Sequence, residues 1–412
     1  MAESKEQKPK SKLLDLGDLM EQIDMDSKKT KAPIKKVPLV HFNRDIYYTF
    51  GEGDDVTRYR SRTELEKMNF SNVPFGQLKC LMEVLQFLNL YYNPSEHKKA
   101  KLLYIGAALG TNIAVLAKLY PILKFHLFDS SKFNMNVLNL PNIKIYNKLF
   151  DEKDEKEWTA IAVKRPVFLV SDIRNMSYDP TVINKEFNAE ASLANENLVW
   201  QDMLLQQHWV ETIKPEQACL KCRIPYHFTY AKQTEYPYFE GTVYRQVWQR
   251  VISTETRLVP NKPINGVYTM INYDARTYED LCFHHNMYTR QKIVFANPLT
   301  SIDPDIKETD KIAETIGLNN DFDSTCTTMI ILDYFAKFGI KPTYKVFRNL
   351  AKKIFEGAGD GLVWKYNLYG ARNVTGDKDS RFKNEDGTFK DQSKKKGKEE
   401  EDREQVAGIE RD

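Results

Sequence analysis

The feature that most constrains the fold is an alternation of two hydrophobic periods between about residues 76 and 357 of this 412-residue chain. Four short apolar runs predict buried strands at 102–105, 125–128, 143–146 and 167–170. Apolar residues at helical spacing predict helices over 76–92, about 112–119 and 197–213. Strands that alternate with helices are typical of an α/β domain with a mainly parallel sheet covered by helices on both faces.

The second half of the chain predicts further elements of both kinds. Strands are expected at 219–224, 243–251 and 255–259, and a closing pair of helices at about 324–338 and 343–355. Asp323 or Ser324 is a suitable N-cap for the first helix of this pair.

The two ends of the chain differ from the middle. Residues 1–39 alternate Lys with Glu and Asp, and predict an arm that is disordered or binds a partner through the short apolar run 13–23. Residues 358–412 predict a mostly disordered, charged tail. Residues 40–357 are therefore the predicted folded domain.

Composition narrows the class of protein. The formal charge of +3 neither requires nor excludes nucleic acid. Five scattered cysteines without a secretory leader indicate a reducing compartment, and no stretch has the apolar length that crosses a bilayer. Cys219-x-x-Cys222 has no second pair at a suitable spacing, so no metal is expected.

Residues 101–111, KLLYIGAALGT, predict a strand, a small-residue turn and a helix. Gly106 and Gly110 let the backbone approach a ligand, and Asp129 at the end of the next strand can accept both hydroxyls of an adenosine ribose. The turn lacks the spacing of a pyrophosphate-binding loop, which favours S-adenosylmethionine over NAD or FAD. The alternative is an ordinary strand-to-helix turn followed by a surface aspartate.

Six motifs follow one another in order between about residues 45 and 340: Gly76–Lys79, Tyr104–Gly106, Gly110–Thr111, Ser171–Arg174, Leu220–Arg223 and Ser253–Leu258. In these motifs the chain resembles the poxvirus cap-specific mRNA (nucleoside-2′-O-)-methyltransferases, which also serve as the stimulatory subunit of the viral poly(A) polymerase. The resemblance implies a Rossmann-like, S-adenosylmethionine-dependent enzyme that methylates the 2′-oxygen of the first transcribed nucleotide. It further implies a large cytoplasmic DNA virus as the source, and the host cytoplasm, within a viral factory, or the virion as the location. The implied partners are capped mRNA and a poly(A) polymerase catalytic subunit, with no membrane.

The resemblance places the family's K-D-K-E tetrad on Lys79, Asp172, Lys221 and Glu255. An alcohol is a poor nucleophile at neutral pH, so methyl transfer needs a base. We expect Lys221 to be that base, because Lys79 and desolvation would lower its pKa. Asp172 and Glu255 would counter this lowering, and we expect these two acids to orient the lysines. Taken singly, the residues have ordinary alternatives: a solvated lysine, a turn aspartate, and a surface ion pair between Glu255 and Arg257.

The resemblance also implies two sets of ligand contacts. The cofactor set is Gln77, Tyr104, Gly106, Gly110, Asp129, Ser131, Phe150 and Asp172. The cap and RNA set is Tyr48, Arg223, Tyr226, Phe228, Ser253, Thr254, Glu255 and Glu279. A methylated guanine is a delocalised cation, which aromatic faces and a carboxylate hold well. The chain departs from the family at Leu109, Ser131 and Phe228, where the family has proline, arginine and an acidic residue.

Other interpretations remain open. A non-catalytic RNA-binding subunit that stimulates a poly(A) polymerase is the main rival, and a base methyltransferase is disfavoured because Ser171–Arg174 lacks the Pro-Pro-aromatic sequence of such enzymes. Core packing is the alternative for the aromatic residues of the cap set, and for Tyr48 taken alone it is the favoured interpretation. A basic channel for RNA, or simply a solvated surface, is indicated by Lys98, Lys99, Lys101, Arg223, Lys232, Arg245 and Arg250.

Overall fold

The structure is a computed structural model that describes residues 38–51, 53–59, 76–134, 137, 139–175, 189–227, 231–303, 305–306 and 320–358. The predicted arm, 1–39, lies outside these residues except at its last two positions, and the predicted tail, 358–412, lies outside them after its first. The domain boundaries at residues 40 and 357 stay a prediction.

The described part of the chain contains nine strands. They are β1 Lys101–Ile105, β2 Lys124–Phe128, β3 Ile143–Tyr146, β4 Val167–Ser171, β5 Gln217–Cys222, β6 Glu235–Phe239, β7 Gly241–Tyr244, β8 Thr256–Pro260 and β9 Met270–Asp274. Seven form the main sheet in the order β3-β2-β1-β4-β5-β8-β7, while β6 and β9 pair in a separate antiparallel ribbon. Strands β1 to β5 run parallel, and β8 and β7 are antiparallel to their neighbours. The predicted α/β class with a mainly parallel sheet is confirmed.

The helices pack around this sheet. They are α1 Gly76–Tyr91, α2 Thr111–Leu119, α3 Glu152–Ala162, α4 Ala189–Ile213, α5 Ala275–His284, α6 Phe322–Lys337 and α7 Tyr344–Gly357. Shorter helical segments occur at Arg44–Tyr47, His285–Thr289, Arg290–Lys292 and Pro298–Ser301.

The two faces of the sheet bury separate apolar clusters. Along β1, Leu102 and Tyr104 join a cluster with residues of α1, α2, α6 and α7, whereas Leu103 and Ile105 join another with residues of α3, α4 and α5. This period of two follows from the pleat of a strand. Because helices cover both faces, the strand is apolar at nearly every position, which is why its short run could be recognised in the sequence.

Three predictions about these elements need correction, and one pair of strands was missed. Helix α4 begins at Ala189, eight residues before the predicted start, and Asp321 rather than Asp323 or Ser324 caps α6 by accepting from the Ser324 amide. The predicted strand 243–251 is only Gly241–Tyr244, because the chain then leaves the sheet and Arg245 bonds to the Thr49 carbonyl. The ribbon of β6 and β9 was not predicted.

Cys219 and Cys222 lie on opposite faces of β5, one in each apolar cluster, so the pair cannot chelate one metal ion. All five cysteines are free thiols. Among the described residues, no helix combines the length and the apolar character that crossing a bilayer requires.

Candidate active site

The carboxyl ends of β1, β2 and β4 meet at one edge of the main sheet. The chain passes from β1 to β2 and β3 on one side, whereas β4 and β5 lie on the other side. Crevices outside such a switch point are the usual ligand sites of open parallel sheets. Gly106, Asp129 and Asp172 each directly follow one of these strands, so all three lie at this edge.

Lys79, Asp172, Lys221 and Glu255 form one charged cluster here. Lys221 Nζ lies 2.9 Å from Asp172 Oδ1 and 3.4 Å from Glu255 Oε2. Lys79 Nζ lies 2.5 Å from the other Glu255 oxygen, Oε1. The four side chains are only 13–17% exposed, so their ion pairs act in a less polar medium than water. The structure therefore brings the predicted tetrad together, while the roles of its members stay a prediction.

Two further charged residues, Arg257 and Glu83, extend this cluster, and the sequence reasoning missed both roles. Arg257 Nε donates to Glu83 Oε2 at 2.6 Å, and its Nη2 donates to Asp172 Oδ1 at 2.9 Å. The Arg257 side chain is 3% exposed, so its interpretation as half of a surface ion pair is wrong. A signal was present for Glu83, because it stands four residues after Lys79 in a helix whose sequence is mostly apolar.

Local structure explains the convergence. Residues opposite each other in an antiparallel pair point to the same face, and Lys221 on β5 is paired with Arg257 on β8. Helix α1 presents Lys79 and Glu83, one turn apart, to these residues. Asp172 is fixed through its amide, which donates to the Ile105 carbonyl at 2.9 Å.

Burial and neighbouring charges oppose each other in this cluster. Burial alone would lower the pKa of Lys79, but the carboxylates of Glu255 and Glu83 raise it above its ordinary value. Burial alone would raise the pKa of Asp172, but the neighbouring cations, Arg257 first, hold it at about 2. Burial would likewise raise the pKa of Glu255, but the neighbouring cations, Lys79 first, hold it well below its usual range. For Glu83 burial prevails, and its pKa is raised.

Other parts of the protein pack closely against the two glycines of the turn after β1. Gly106 has φ +79°, and a Cβ there would lie 2.8 Å from the Asp172 carbonyl carbon. Gly110 has φ +78°, and its Cβ would lie 3.0 Å from Val137 Cγ2. These glycines therefore have a structural reason of their own, since they let the end of β1 approach β4 and let α2 begin beside Val137; their role in giving space to a ligand stays a prediction.

Asp129 is held in one orientation by the backbone. Its Oδ2 accepts from the Ala108 amide at 2.9 Å, and its Oδ1 accepts from the Ser131 amide at 2.8 Å. Asn147 Nδ2 donates to the carbonyls of Asp129 and Ser131, which fixes the loop, and the Ser131 side chain is exposed. Each Asp129 oxygen retains acceptor capacity, as a pair of ribose hydroxyls would require.

Three further side chains of the predicted cofactor set, those of Tyr104, Phe150 and Gln77, are buried or half-buried. Tyr104 is 2% exposed in the core, and Phe150 is half-buried between Phe128 and Trp209, at ring-centroid distances of 5.0 and 5.4 Å. Gln77 Oε1 is buried and has no hydrogen-bond partner among the residues that the structure describes. An acceptor of this kind is one that a bound ligand can satisfy.

Arg223 and Tyr226 of the predicted cap set are fixed by one residue of α4 that was not predicted, Glu196. Arg223 Nη2 donates to Glu196 Oε1 at 2.9 Å, and the Tyr226 amide donates to Glu196 Oε2 at 2.9 Å. The Arg223 guanidinium lies 4.5 Å from the centroid of the Tyr226 ring. The sequence contained no signal for this pairing, since Glu196 stands in a polar stretch before the predicted helix.

Glu279, on α5, is 3% exposed, and its Oε1 accepts from the His227 amide. Burial raises its pKa from the ordinary 4.5 to about 7. Thr254 is buried and its carbonyl accepts from the Tyr278 hydroxyl at 2.9 Å, whereas Ser253 is half-buried. The predicted set thus contains a carboxyl that changes its charge near neutral pH.

Tyr48 does not join these residues. It is 4% exposed, its hydroxyl donates to Asp333 Oδ2 at 2.7 Å, and its ring packs against Phe42. The assignment of Tyr48 to the cap set is therefore corrected, because both the ring and the hydroxyl are engaged in the core. Phe228 lies outside the described residues.

The basic residues considered for an RNA channel do not line one surface. Lys98, Lys99 and Lys101 lie at the amino end of β1, the opposite edge from Gly106. Arg245 is 8% exposed, and its Nη2 donates to Asp54 Oδ2 at 2.7 Å. A channel built from the whole set is therefore wrong.

Comparison with known proteins agrees with this architecture. The family model of the poly A polymerase regulatory subunit matches residues 41–346. Two proteins named cap-specific mRNA (nucleoside-2′-O-)-methyltransferase, from the Lausanne and Uriarra strains of Myxoma virus, are each 24% identical over 283 residues, which cover 67% of this chain and 79% of the relative. Since the family model spans well over half of the sequence, the chain belongs to the poly A polymerase regulatory subunit family.

Proposed function

We propose that this chain transfers a methyl group from S-adenosylmethionine to the 2′-oxygen of the first transcribed nucleotide of capped mRNA. The observation that carries the proposal is the convergence of Lys79, Asp172, Lys221 and Glu255 at the sheet edge that also holds Asp129. The viral relatives named cap-specific mRNA 2′-O-methyltransferases support this type of reaction.

The residues at this edge fit S-adenosylmethionine. The backbone-fixed carboxylate of Asp129 would accept from the two ribose hydroxyls, and the ionised carboxylate of Asp172 would bind the ammonium of the methionine part. Gln77 Oε1 offers a further buried acceptor. When bound, the cofactor supplies a methyl group on a positively charged sulfur, which an oxygen nucleophile can attack.

Lys221 is the proposed base. As a neutral amine its Nζ would take the proton of the ribose 2′-hydroxyl; the bound cofactor would supply the methyl group to that oxygen and keep the electrons of the broken carbon–sulfur bond as a neutral thioether. Asp172 and Glu255, at 2.9 and 3.4 Å, hold that Nζ in place and stabilise the ammonium that forms. Lys79, bound to Glu255, is positively charged and stabilises the developing negative charge on the oxygen.

The cap would be held by residues next to this cluster. Tyr226, whose ring is stacked on the Arg223 guanidinium, offers an aromatic face, and Glu279 offers a carboxylate. A cationic methylated guanine is attracted by both groups, whereas unmethylated guanine lacks the charge.

The test is transfer of labelled methyl to a short capped RNA, followed by nuclease digestion and identification of the nucleoside. We expect 2′-O-methylation of the first nucleotide, and no label on a matched RNA whose first nucleotide is 2′-deoxy. Label on a base, or equal labelling of the 2′-deoxy RNA, contradicts the proposal.

We propose a second role, stimulation of a poly(A) polymerase catalytic subunit, which the family-model match favours. Tail elongation by the catalytic subunit should become faster or longer when this chain is added, and Lys221→Met should stimulate as well as the wild type. If the chain stimulates tail elongation but transfers no methyl group under any condition tested, only the non-catalytic role remains.

A further inference from the structure

A small buried cavity borders Glu83 and Arg257, the two members of the charged cluster that lie outside the tetrad. Its volume is about 10 Å³, and its lining includes the side chains of Gln86 and Gln246. Glu83, Gln86 and Gln246 are 7%, 6% and 1% exposed, so bulk solvent does not reach them. The cavity therefore lies in the protein interior, beside the charged cluster.

Several polar atoms of this lining lack protein partners. Within the described residues, Glu83 Oε1, Gln86 Nε2 and both side-chain polar atoms of Gln246 have no hydrogen-bond partner. Native proteins leave very few buried polar atoms unpaired, and a buried water with two to four polar partners is the usual solution. The cavity has the volume that one water occupies, and its lining offers both donors and acceptors.

We propose that this cavity is the site of a single ordered water, and that the water and Glu83 together act as positioning groups for the charged cluster. The water bonds to Glu83, Gln86 and Gln246. Glu83 then has both oxygens engaged, Oε1 on the water and Oε2 on Arg257 Nε at 2.6 Å. Arg257 in turn holds Asp172, at 2.9 Å.

The positioning role rests on the proposed methyl transfer and includes a charge effect. When Lys221 is protonated, Lys79, Lys221 and Arg257 are balanced by Asp172, Glu255 and Glu83, so loss of the Glu83 charge leaves the buried cluster with one surplus positive charge. A surplus positive charge favours a neutral lysine amine. The titratable groups that face Glu83 come from six parts of the fold: Lys79, Cys80, Tyr104, Asp172, Cys219, Tyr244, Arg245, Glu255 and Arg257.

The water site is tested without any activity measurement. A crystal structure of the full chain at high resolution should show density at hydrogen-bond distance from Glu83 Oε1. Gln246→Leu, which keeps the volume but removes both polar atoms, should lower Tm by about 2 °C, because the water loses a partner. If the cavity held no water, the same change would remove two unpaired polar atoms and raise Tm. A rise in Tm, or the absence of density, overturns the water site.

The positioning role is tested with Glu83→Gln, which keeps the shape and the acceptor for Arg257. We expect kcat to fall about tenfold, KM for capped RNA to stay within about twofold, and the acid limb of the kcat profile to move about one pH unit lower. Glu83→Asp, which retains the charge, should keep the limb within a few tenths of a unit of its wild-type position. A uniform loss of activity with an unmoved pH profile would reduce Glu83 to a structural residue and overturn its positioning role. A wild type that transfers no methyl overturns the proposed function and the positioning role together, whereas the water site is still decided by density and Tm.

Discussion

Glu279→Gln is expected to stabilise the protein at and above neutral pH. Burial raises the pKa of Glu279 from 4.5 to about 7 in the folded protein. The folded state therefore favours the neutral carboxyl, and this contribution is complete below pH 4.5 and is lost as pH rises through 7. A displacement of this size corresponds to about 3 kcal/mol of unfolding free energy by pH 8. Glutamine avoids this loss, because it stays neutral and can still accept from the His227 amide.

The assay is urea denaturation of the wild type and the variant between pH 5 and 9. The variant should gain on the wild type as pH rises, by about 2–3 kcal/mol at pH 8, with a plateau above that value. Asp280→Asn, the same kind of change at a half-buried acid on the same helix that accepts from the Tyr59 amide, is the matched control. A difference that does not vary with pH refutes the reasoning.

The same substitution should weaken cap binding. In the proposed cap site the ionised form of Glu279 would attract the cationic methylated guanine, so the affinity of the wild type for a cap analogue should rise as pH passes through 7. The variant should bind the analogue about tenfold more weakly at pH 8 and with little dependence on pH. Fluorescence titration at several pH values measures both, and unchanged affinity would remove Glu279 from the cap set.

Three further substitutions probe the sheet edge. Gly106→Ala should cost about 3 kcal/mol or more in urea denaturation, because its Cβ meets the Asp172 backbone at 2.8 Å, whereas Gly53→Ala, at a similar φ of +84° in open space, should cost about 1 kcal/mol. Arg257→Met should cost about 3–5 kcal/mol, because it leaves the acids it pairs with uncompensated in the interior, and a loss below about 1 kcal/mol would contradict its buried role. Asp129→Asn should weaken S-adenosylmethionine binding about tenfold in calorimetry and cost about 1 kcal/mol in stability, because the asparagine Nδ2 cannot accept from the second backbone amide; unaltered binding would remove Asp129 from the cofactor set.

Sequence patterns predicted the elements whose burial is uniform. The apolar runs of β1, β2 and β4 were recognised because helices cover both faces of these strands, and the leucines of α1 were recognised because one helix face is apolar. The edge strand β3 is only partly buried and was recognised from its isoleucines and tyrosine. The first turns of α4 were missed because Ala189 to Glu196 has no apolar period. Strands β6 and β9 were missed because polar and exposed residues interrupt them.

Neighbourhood across the sheet could not be predicted from local patterns. The antiparallel pairing of β5 with β8 places Arg257 beside the tetrad. In the sequence Arg257 stands two residues after Glu255, and this spacing suggested only a surface ion pair between them. Tyr48 was misplaced because the partner that engages its hydroxyl, Asp333, is 285 residues away in the chain. Long-range contacts of this kind are specified by tertiary packing.

The assignment of Lys221 as the base is tested most directly by comparing wild type with Lys221→Met in labelled-methyl transfer to capped RNA, with cofactor binding measured in parallel. We expect transfer to fall at least a thousandfold, on the order of the loss of a general base, while S-adenosylmethionine affinity stays within about threefold. Near-normal turnover by Lys221→Met, with the methyl still on the 2′-oxygen, would contradict the assignment of Lys221 as the base.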